Sequence, residues 1–307
     1  MSNRWVVYQR ERFPLLAHGP LIAAFSGSAV SYSALLRGGA TTPGWGALLV
    51  AFPAALLFFL QLRIADEFKD QEEDRRYRPS RPVPRGLVCL RELAIVGLTG
   101  ALVQLALTAW WTPALTALLA LVWLYLALMG CEFFVRDWLR ARPLTYLWTH
   151  MLIMPLIDLY VTAVDWLPAR GWPPRGLAWF LAVSFFCGTV IEIGRKIRAP
   201  ADEAPGVPTY TALWGRRTAL GAWLGAMLLG GLTALAAARR IGPVWPAACL
   251  LALPLAAAVA GAARFLCRPD STRSRIFEPL SGLWVLLTYL GLGALPHLVP
   301  LARIVRE

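Results

Sequence analysis

Long apolar segments alternate with short polar segments along most of the 307-residue chain. Nine of the apolar segments contain about 20 residues each, the length at which an α-helix crosses the hydrocarbon core of a bilayer. They are residues 18–37, 45–63, 88–109, 113–131, 144–166, 175–194, 218–238, 244–265 and 277–299. The pattern predicts an all-α integral membrane protein, with about nine transmembrane helices in a single domain over residues 1–307.

Two local features refine these helices. Residues 110–113 make a very short connection between the third and fourth segments, so these two helices are expected to form a tight antiparallel hairpin. Pro53, Pro155 and Pro254 lie inside predicted helices, where the missing N–H and the pyrrolidine ring favour kinks.

The composition agrees with a membrane protein, because 58% of the residues are hydrophobic and only 16% are charged. The formal net charge of +12 raises the question of a nucleic-acid partner. However, 23 of the 30 basic residues fall on the connections that share a side with the N-terminus, and seven fall on the other side. By the positive-inside rule the chain is a multi-pass protein of the cell (inner) membrane with a cytoplasmic N-terminus, and no nucleic acid is needed to explain its charge.

Acidic residues are concentrated directly after the second predicted helix, where residues 66–74 hold six of the 18 in the chain. If that helix continues, Asp66, Asp70 and Asp74 stack at intervals of four, and Glu67 lies near the same face. Stacked carboxylates repel one another unless a cation lies among them. Mg²⁺ suits such a face, since it takes one or two carboxylates and fills its other positions with water and phosphate oxygens. The alternative is a solvated helix whose acids pair with neighbouring arginines. Those arginines are Arg75, Arg76 and Arg78.

The segment 66–86 resembles the first signature of the UbiA superfamily of intramembrane prenyltransferases. That signature reads Asn-Asp-x-x-Asp-x-x-x-Asp, followed by Arg-Pro-x-Arg-Pro-x-Pro-x-Gly. Asp66 stands at the asparagine position, and Glu67, Asp70 and Asp74 stand at the three aspartate positions. Residues 78–86 match the second half. The resemblance implies a UbiA-like helical bundle around a central cavity, Mg²⁺ held by these four side chains, and catalytic roles for Asp70 and Asp74.

The family's second motif, Asp-x-x-x-Asp between the sixth and seventh helices, is altered in this chain. Glu192 and Lys196 occupy its two acidic positions, and the segment 209–215 resembles the tail that follows the motif. Glu192 is expected to bind metal. Two interpretations of the rest remain open: a basic cluster binds phosphate directly in place of a second metal, or later acids supply ligands. The basic cluster is Arg195, Lys196 and Arg198, and the later acids are Asp202 and Glu203. In a third, purely structural interpretation, the cluster anchors the cytoplasmic end of the sixth helix.

Other polar residues complete the predicted site. Glu132, Arg136 and Arg140 have helical spacing between the fourth and fifth helices, where surface ion pairing explains most of the pattern. The resemblance adds a set of expected diphosphate-binding residues: Lys69, Arg78, Arg81, Arg136, Arg140, Arg195, Lys196 and Arg198. Asp158 lies inside the fifth helix, and an ionisable group at membrane depth indicates function. We therefore expect Asp158 to be catalytic, holding or deprotonating the acceptor.

Three functions are compatible with these patterns. The first is a Mg²⁺-dependent prenyltransferase that moves an isoprenyl group from an isoprenyl diphosphate to a lipid-soluble acceptor such as an aromatic compound. The second, also within the resemblance, is a terpene cyclase or a transferase that uses a polyprenyl phosphate. The third is a non-catalytic lipid-binding or transport protein of the same fold. Against transport, the densest charges lie at the ends of the predicted helices and few lie at membrane depth.

Overall fold

The computed structural model describes residues 3–38 and 43–298, and every regular element within these ranges is a helix. The helices are α1 (Arg4–Arg12), α2 (Leu15–Leu36), α3 (Trp45–Lys69), α4 (Gln71–Tyr77), α5 (Leu90–Trp111), α6 (Thr116–Gly130), α7 (Arg136–Arg140), α8 (Pro143–Met151), α9 (Ile153–Arg170), α10 (Leu177–Gly194), α11 (Tyr210–Trp214), α12 (Arg216–Ala238), α13 (Trp245–Cys267), α14 (Ser271–Ser274), α15 (Phe277–Gly293) and α16 (Leu295–Leu298).

Nine stretches within the described ranges are long and apolar enough to cross a membrane, and they overlap the nine predicted segments one for one. This confirms the predicted all-α membrane class. The last residue of the ninth predicted segment and both ends of the predicted domain lie outside the described residues.

The spans differ in how much of each is buried by the others. In α2 and α10 61% of the apolar window is buried, whereas 22% is buried in α5 and in the span that ends with α6. Helix α2 packs against α3, α9 and α15, and α10 packs against α9 and α12. The first pair is therefore central, and the second pair lies at the periphery. The predicted hairpin is confirmed, because α5 ends at Trp111 and a short 3₁₀ turn begins the next span at Pro113.

The fifth span is divided into α8 and α9, with Leu152 between them. Pro155 has no N–H to donate to the carbonyl oxygen of Met151, which explains an interruption one turn before the proline. The predicted effect of Pro155 is confirmed. Pro53 and Pro254, in contrast, lie within α3 and α13, which continue through them.

The helix of the second span does not continue through the acidic segment as predicted. It ends at Lys69, and α4 begins at Gln71, so that Asp70 lies at the junction. Four carboxylates stacked on one helix face would repel one another. The interruption at Asp70 directs Glu67 and Asp74 toward different cationic partners, Arg12 and Arg81.

A left-handed turn precedes the fifth span. Glu132, Phe133 and Phe134 have φ angles of 49°, 53° and 61°, a conformation that disfavours side chains larger than glycine by roughly 1–2 kcal/mol per residue. Helix α7 begins only at Arg136, so the predicted pairing of Glu132 with Arg136 forms across this turn and not along a helix. The turn carries the buried Glu132 carboxylate to the end of the bundle at which α3 and α10 end.

Candidate active site at the charged end of the bundle

A cavity of about 950 Å³ lies where α3 and α10 end. Among the described residues, nine basic and six acidic side chains line it. The basic ones are Arg12, Arg63, Lys69, Arg76, Arg78, Arg81, Arg140, Arg195 and Lys196, and the acidic ones are Asp66, Asp70, Glu72, Glu73, Glu132 and Glu192. The apolar part of the lining includes Leu62, Met129, Met151, Ile153 and Met154. The cavity thus joins a mouth with excess positive charge to an apolar floor.

The four predicted metal ligands of the acidic segment separate into two pairs. Asp66 and Asp70 line the cavity, whereas Glu67 and Asp74 do not. The buried Glu67 carboxylate pairs with Arg12, which the preceding helix α1 brings across the end of α3. Buried Asp74 is also engaged, by Arg78 and Arg81. The prediction that all four carboxylates share one metal-binding face is therefore not met.

Asp74 holds in place the arginine-rich turn formed by residues 78–86, which follow α4. Its Oδ1 accepts a hydrogen bond of 3.0 Å from Arg78, and its Oδ2 accepts one of 2.6 Å from Arg81. Burial lowers the pKa of the Arg81 guanidinium, and the hydrogen bond to Asp74 opposes that effect. Of the alternative partners predicted for the acidic segment, Arg78 is thus confirmed. Both Arg78 and Arg81 also line the cavity.

Asp66 and Asp70 remain turned toward the cavity with weaker engagement. The Nζ atom of Lys69 lies 3.3 Å from Asp66 Oδ1, and an Arg63 nitrogen lies 3.5 Å from Asp66 Oδ2. The Asp70 carboxylate makes no hydrogen bond and no ion pair with any residue that the structure describes. Burial raises the pKa of this carboxyl, although the nearby charge of Lys69 opposes the shift. An additional cation at this point would relieve the cost of keeping Asp70 ionised.

These two carboxylates could bind a Mg²⁺ ion whose remaining coordination positions are filled by water and by a ligand. Within residues 3–38 and 43–298, no three His, Cys, Asp or Glu side chains are close enough together to hold a metal alone. Mg²⁺ does not require such a cage, because it commonly binds one or two carboxylates and takes water and phosphate oxygens for its other positions. Asp66 and Asp70 fit this donor set.

The second motif has a different character. Glu192 lies in the last turn of α10, lines the cavity and is 7% exposed. Its Oε2 accepts a hydrogen bond of 2.6 Å from Arg195 Nε, and Lys196 Nζ lies 2.7 Å from its Oε1. The Glu192 carboxylate raises the pKa of the Arg195 guanidinium. The two cations and the carboxylate form one compact cluster in the wall of the cavity.

The other candidates from this region, Arg198, Asp202 and Glu203, do not themselves line the cavity, although Thr209, a partner of Glu203, does. Glu203 accepts hydrogen bonds of 2.6 Å from the hydroxyls of Thr209 and Thr211, and Asp202 accepts one of 2.9 Å from Ser271. These bonds tie the loop after α10 to α11 and to α14. Because these oxygens accept hydrogen bonds from hydroxyl groups and do not line the cavity, the structure does not support the interpretation in which Asp202 and Glu203 supply metal ligands.

Arg140 also lines the cavity. Its guanidinium lies 2.5 Å from Glu73 of α4 and 3.8 Å from Glu132. Burial by itself would lower the pKa of the Arg140 guanidinium, but the negative charge of Glu73 outweighs this effect, and the pKa is raised. Arg136 pairs with Glu132 at 3.0 Å but does not line the cavity. Of this predicted pair, only Arg140 is placed to contact a ligand.

The cavity residues that were not predicted from sequence include Tyr146, which packs on His150. Tyr146 accepts a hydrogen bond of 3.1 Å from Lys69, and its ring stacks on His150 with centroids 3.8 Å apart. His150 Nδ1 lies 2.9 Å from the Tyr146 carbonyl oxygen, which can only accept, so Nδ1 carries the proton. Arg12 and Tyr210 also line the wall. Tyr210 could have been predicted, because it lies in the segment 209–215 that resembles the tail of the second motif. No sequence pattern indicated Arg12 or Tyr146, because only the packing of distant helices brings them to the cavity.

Asp158, predicted to be catalytic, does not line the cavity and is completely buried. It lies one helical turn beyond Met154, a residue of the cavity floor. Met154 packs closely on Gly188 of α10, where an added Cβ would lie 2.6 Å from Met154 Cγ. A ligand in this cavity is therefore separated from Asp158 by the methionine.

Together the fold and the site define an all-helical, multi-pass membrane protein with a cation-rich cavity above an apolar floor. The sequence matches the model of the UbiA prenyltransferase family over residues 24–287, and the chain belongs to that family. No curated protein matches the sequence significantly.

Three solved structures have a similar fold. An apo UbiA homologue from Aeropyrum pernix K1 aligns with a TM-score of 0.68 and 17% identity, covering 88% of this chain and 96% of the homologue. A digeranylgeranylglyceryl phosphate synthase aligns with a TM-score of 0.61 and 15% identity, covering 95% of this chain and 99% of the synthase. A UbiA homologue from Archaeoglobus fulgidus, bound to DMAPP and Mg²⁺, aligns with a TM-score of 0.54 and 12% identity, covering 94% of this chain and 99% of the homologue. At such low identities the likeness concerns the fold.

Proposed function

We propose that the protein is a Mg²⁺-dependent prenyltransferase that moves an isoprenyl group from an isoprenyl diphosphate to a lipid-soluble acceptor such as an aromatic compound. The observation that carries this proposal is the union, in one cavity, of a mouth with excess positive charge and an apolar floor. An isoprenyl diphosphate has the complementary parts, an anionic head and a hydrocarbon tail. The family and the Archaeoglobus homologue bound to DMAPP and Mg²⁺ support the same substrate class.

Asp66 and Asp70 would hold the Mg²⁺ ion, which when bound supplies Lewis acidity to oxygen atoms of the diphosphate. Basic side chains around the mouth bind the remaining phosphate oxygens through charge-assisted hydrogen bonds. Those placed to do so are Lys69, Arg78, Arg81, Arg140, Arg195 and Lys196. They stabilise the negative charge that develops on the leaving diphosphate, because they are held in position before the reaction begins.

In the proposed reaction the allylic C–O bond of the donor breaks, and its electron pair leaves with the diphosphate oxygen. An electron pair of the acceptor then forms the new bond to the allylic carbon, and the acceptor loses a proton. Met129, Met151 and Met154 hold the hydrocarbon tail and exclude water. Exclusion of water matters, because water would capture the carbocation.

Turnover by purified protein in lipid nanodiscs tests the proposal. Radiolabelled isoprenyl diphosphates of increasing length are supplied with a lipid extract of the source cells as acceptor, and release of diphosphate is measured with Mg²⁺ or EDTA. We expect Mg²⁺-dependent release that falls roughly 100-fold in the Asp70→Asn variant. Asp137→Asn is the matched control, since Asp137 is exposed and does not line the cavity.

The outcomes separate the functions. A prenylated lipid that appears with the wild type and disappears with Asp70→Asn identifies donor and acceptor together. Release of diphosphate with a hydrocarbon product and no acceptor would indicate a cyclase. Binding of donor and Mg²⁺ without any product would contradict the proposal and favour a lipid-binding member of the family.

A further inference from the structure

The cluster formed by Glu192, Arg195 and Lys196 differs from a metal site in two ways: it contains two positive charges, and both oxygen atoms of its carboxylate are already engaged. Each carboxylate oxygen of Glu192 already has a cationic partner: Arg195 at Oε2 and Lys196 at Oε1. Glu192 is 7% exposed, and these two charged contacts compensate the burial of its carboxylate. A divalent cation bound here would have to displace both partners and then lie beside two positive charges. The residues present do not fit a second metal ion.

The backbone fixes Lys196 at the cavity wall. Its carbonyl oxygen accepts a hydrogen bond of 3.2 Å from the Tyr210 N–H, and its Nζ lies 5.5 Å from the centroid of the Tyr210 ring. Two residues later, the Arg198 N–H donates to the Thr211 hydroxyl over 3.0 Å. The loop after α10 is thus pinned to α11 at Lys196 and again at Arg198. The ammonium group is held in position by the fold before any ligand binds.

The two motifs line the same cavity but offer opposite chemistry. On one side, Asp66 and Asp70 present carboxylates with room for a cation. On the other side, Arg195 and Lys196 present positive charge, with Glu192 holding them together. A diphosphate between the two sides would meet a carboxylate-bound cation at one end and fixed side-chain cations at the other.

We propose that Lys196, together with Arg195, takes the place of a second divalent cation, so that the protein binds its diphosphate ligand with a single Mg²⁺ on the Asp66 and Asp70 side. This inference rests on the proposed function, because it assumes a diphosphate donor. It adds that Lys196 is a binding residue whose ammonium contacts the phosphate oxygens. Glu192 is then a positioning residue for the two cations and not a metal ligand.

The number of bound metal ions tests the proposal directly. Mn²⁺ replaces Mg²⁺ so that bound ions can be counted by electron paramagnetic resonance, and geranyl S-thiolodiphosphate serves as an unreactive donor. We expect one Mn²⁺ per wild-type chain in the presence of this analogue. In Lys196→Asp a carboxylate replaces the ammonium, and a second Mn²⁺ is expected. Arg217→Asp, which makes the same change of charge at an exposed residue outside the cavity, should still bind one.

Affinity for the analogue provides a second measurement. Lys196→Ala should weaken binding about tenfold while the count stays at one Mn²⁺, and Lys196→Arg should restore most of the affinity. Two Mn²⁺ ions in the wild type would overturn this inference and leave the proposed prenyl transfer intact. No Mn²⁺ and no analogue bound to the wild type would overturn both. The wild-type count decides the matter even if an aspartate variant fails to fold.

Discussion

Tyr289 donates a hydrogen bond of 3.2 Å to Asp158 Oδ2 in the interior of the bundle, where the two residues are 1% and 0% exposed. The other carboxyl oxygen, Asp158 Oδ1, has no hydrogen-bond partner among the described residues. This pair joins α9 to α15 at a point that the cavity does not reach. Its geometry favours a structural link between two central helices over a role in the chemistry.

The first prediction separates these two roles of Asp158. Asp158→Asn keeps an oxygen that can accept the Tyr289 hydrogen bond, so donor turnover should remain within about threefold of the wild type. Tyr289→Phe leaves the buried carboxyl without its donor and should lower the free energy of unfolding by about 1–3 kcal/mol. Thermal unfolding and diphosphate release are measured on both variants. Loss of turnover in Asp158→Asn at unchanged unfolding temperature would restore the catalytic role predicted from sequence.

The second prediction concerns Glu67, which the sequence motif places among the metal ligands. Its side chain is 1% exposed and is paired with Arg12, whose side chain is 10% exposed. Glu67→Gln would leave the buried guanidinium without its counter-ion and should destabilise the protein by roughly 3–5 kcal/mol. Mn²⁺ affinity of the folded fraction should stay close to that of the wild type.

The comparison for Glu67 is Asp70→Asn, which should do the reverse: weaken Mn²⁺ binding with little effect on unfolding. The double variant Arg12→Met, Glu67→Leu should recover stability, since apolar residues of similar volume often replace a buried ion pair without loss. If Glu67→Gln instead abolished Mn²⁺ binding without changing the unfolding temperature, Glu67 would be a metal ligand as the motif predicts.

The third prediction concerns the cavity floor. A methyl group on Gly188 would lie 2.6 Å from Met154 Cγ and 3.3 Å from Met151 Sδ, so Gly188→Ala should push one of these side chains into the cavity. Binding of a long donor such as geranylgeranyl diphosphate should weaken about tenfold, and binding of dimethylallyl diphosphate should change little. Gly225→Ala on α12 is the control, because its added methyl group meets open space. Equal weakening for both donors would show that the cavity floor does not select donors by the length of the hydrocarbon tail.

The fourth prediction concerns orientation, because the distribution of basic residues predicts a cytoplasmic N-terminus. Ser80 lies in the arginine-rich turn after α4, and Trp172 lies in the connection after α9, and both are exposed. In a chain freed of its five native cysteines, a membrane-impermeant maleimide should label Trp172→Cys in intact cells and Ser80→Cys only after lysis. The opposite labelling pattern would invert the topology and place the cavity on the outer side.

The membrane class and the family were accessible from sequence because both depend on local patterns. Segments of about 20 apolar residues predict spans regardless of how the spans pack. The motif from Asp66 to Gly86 is continuous in the chain, so its match needed no structure. For the same reason the altered second motif, with Glu192 and Lys196, was visible before any contact was known.

The assignment of individual carboxylates was not accessible in this way. Asp66 and Glu67 are adjacent in sequence, yet one lines the cavity and the other is buried against Arg12, 55 residues earlier. Helical spacing identifies which residues share a face, but the interruption at Asp70 changes those faces. Arg12 and Tyr146 enter the site through packing alone, with no pattern of their own.

The sequence by itself determined that the chain crosses the membrane about nine times, that it carries the first UbiA signature, and that its second motif has a lysine in place of an acid. These properties depend on composition and on residues close together in the chain. Only the tertiary structure decided which charges meet: Arg12 with Glu67, Asp74 with the arginine turn, and Lys196 with Glu192. The physical reason is that a carboxylate in a weakly polar interior is directed by its nearest cation, and packing of distant helices determines which cation that is.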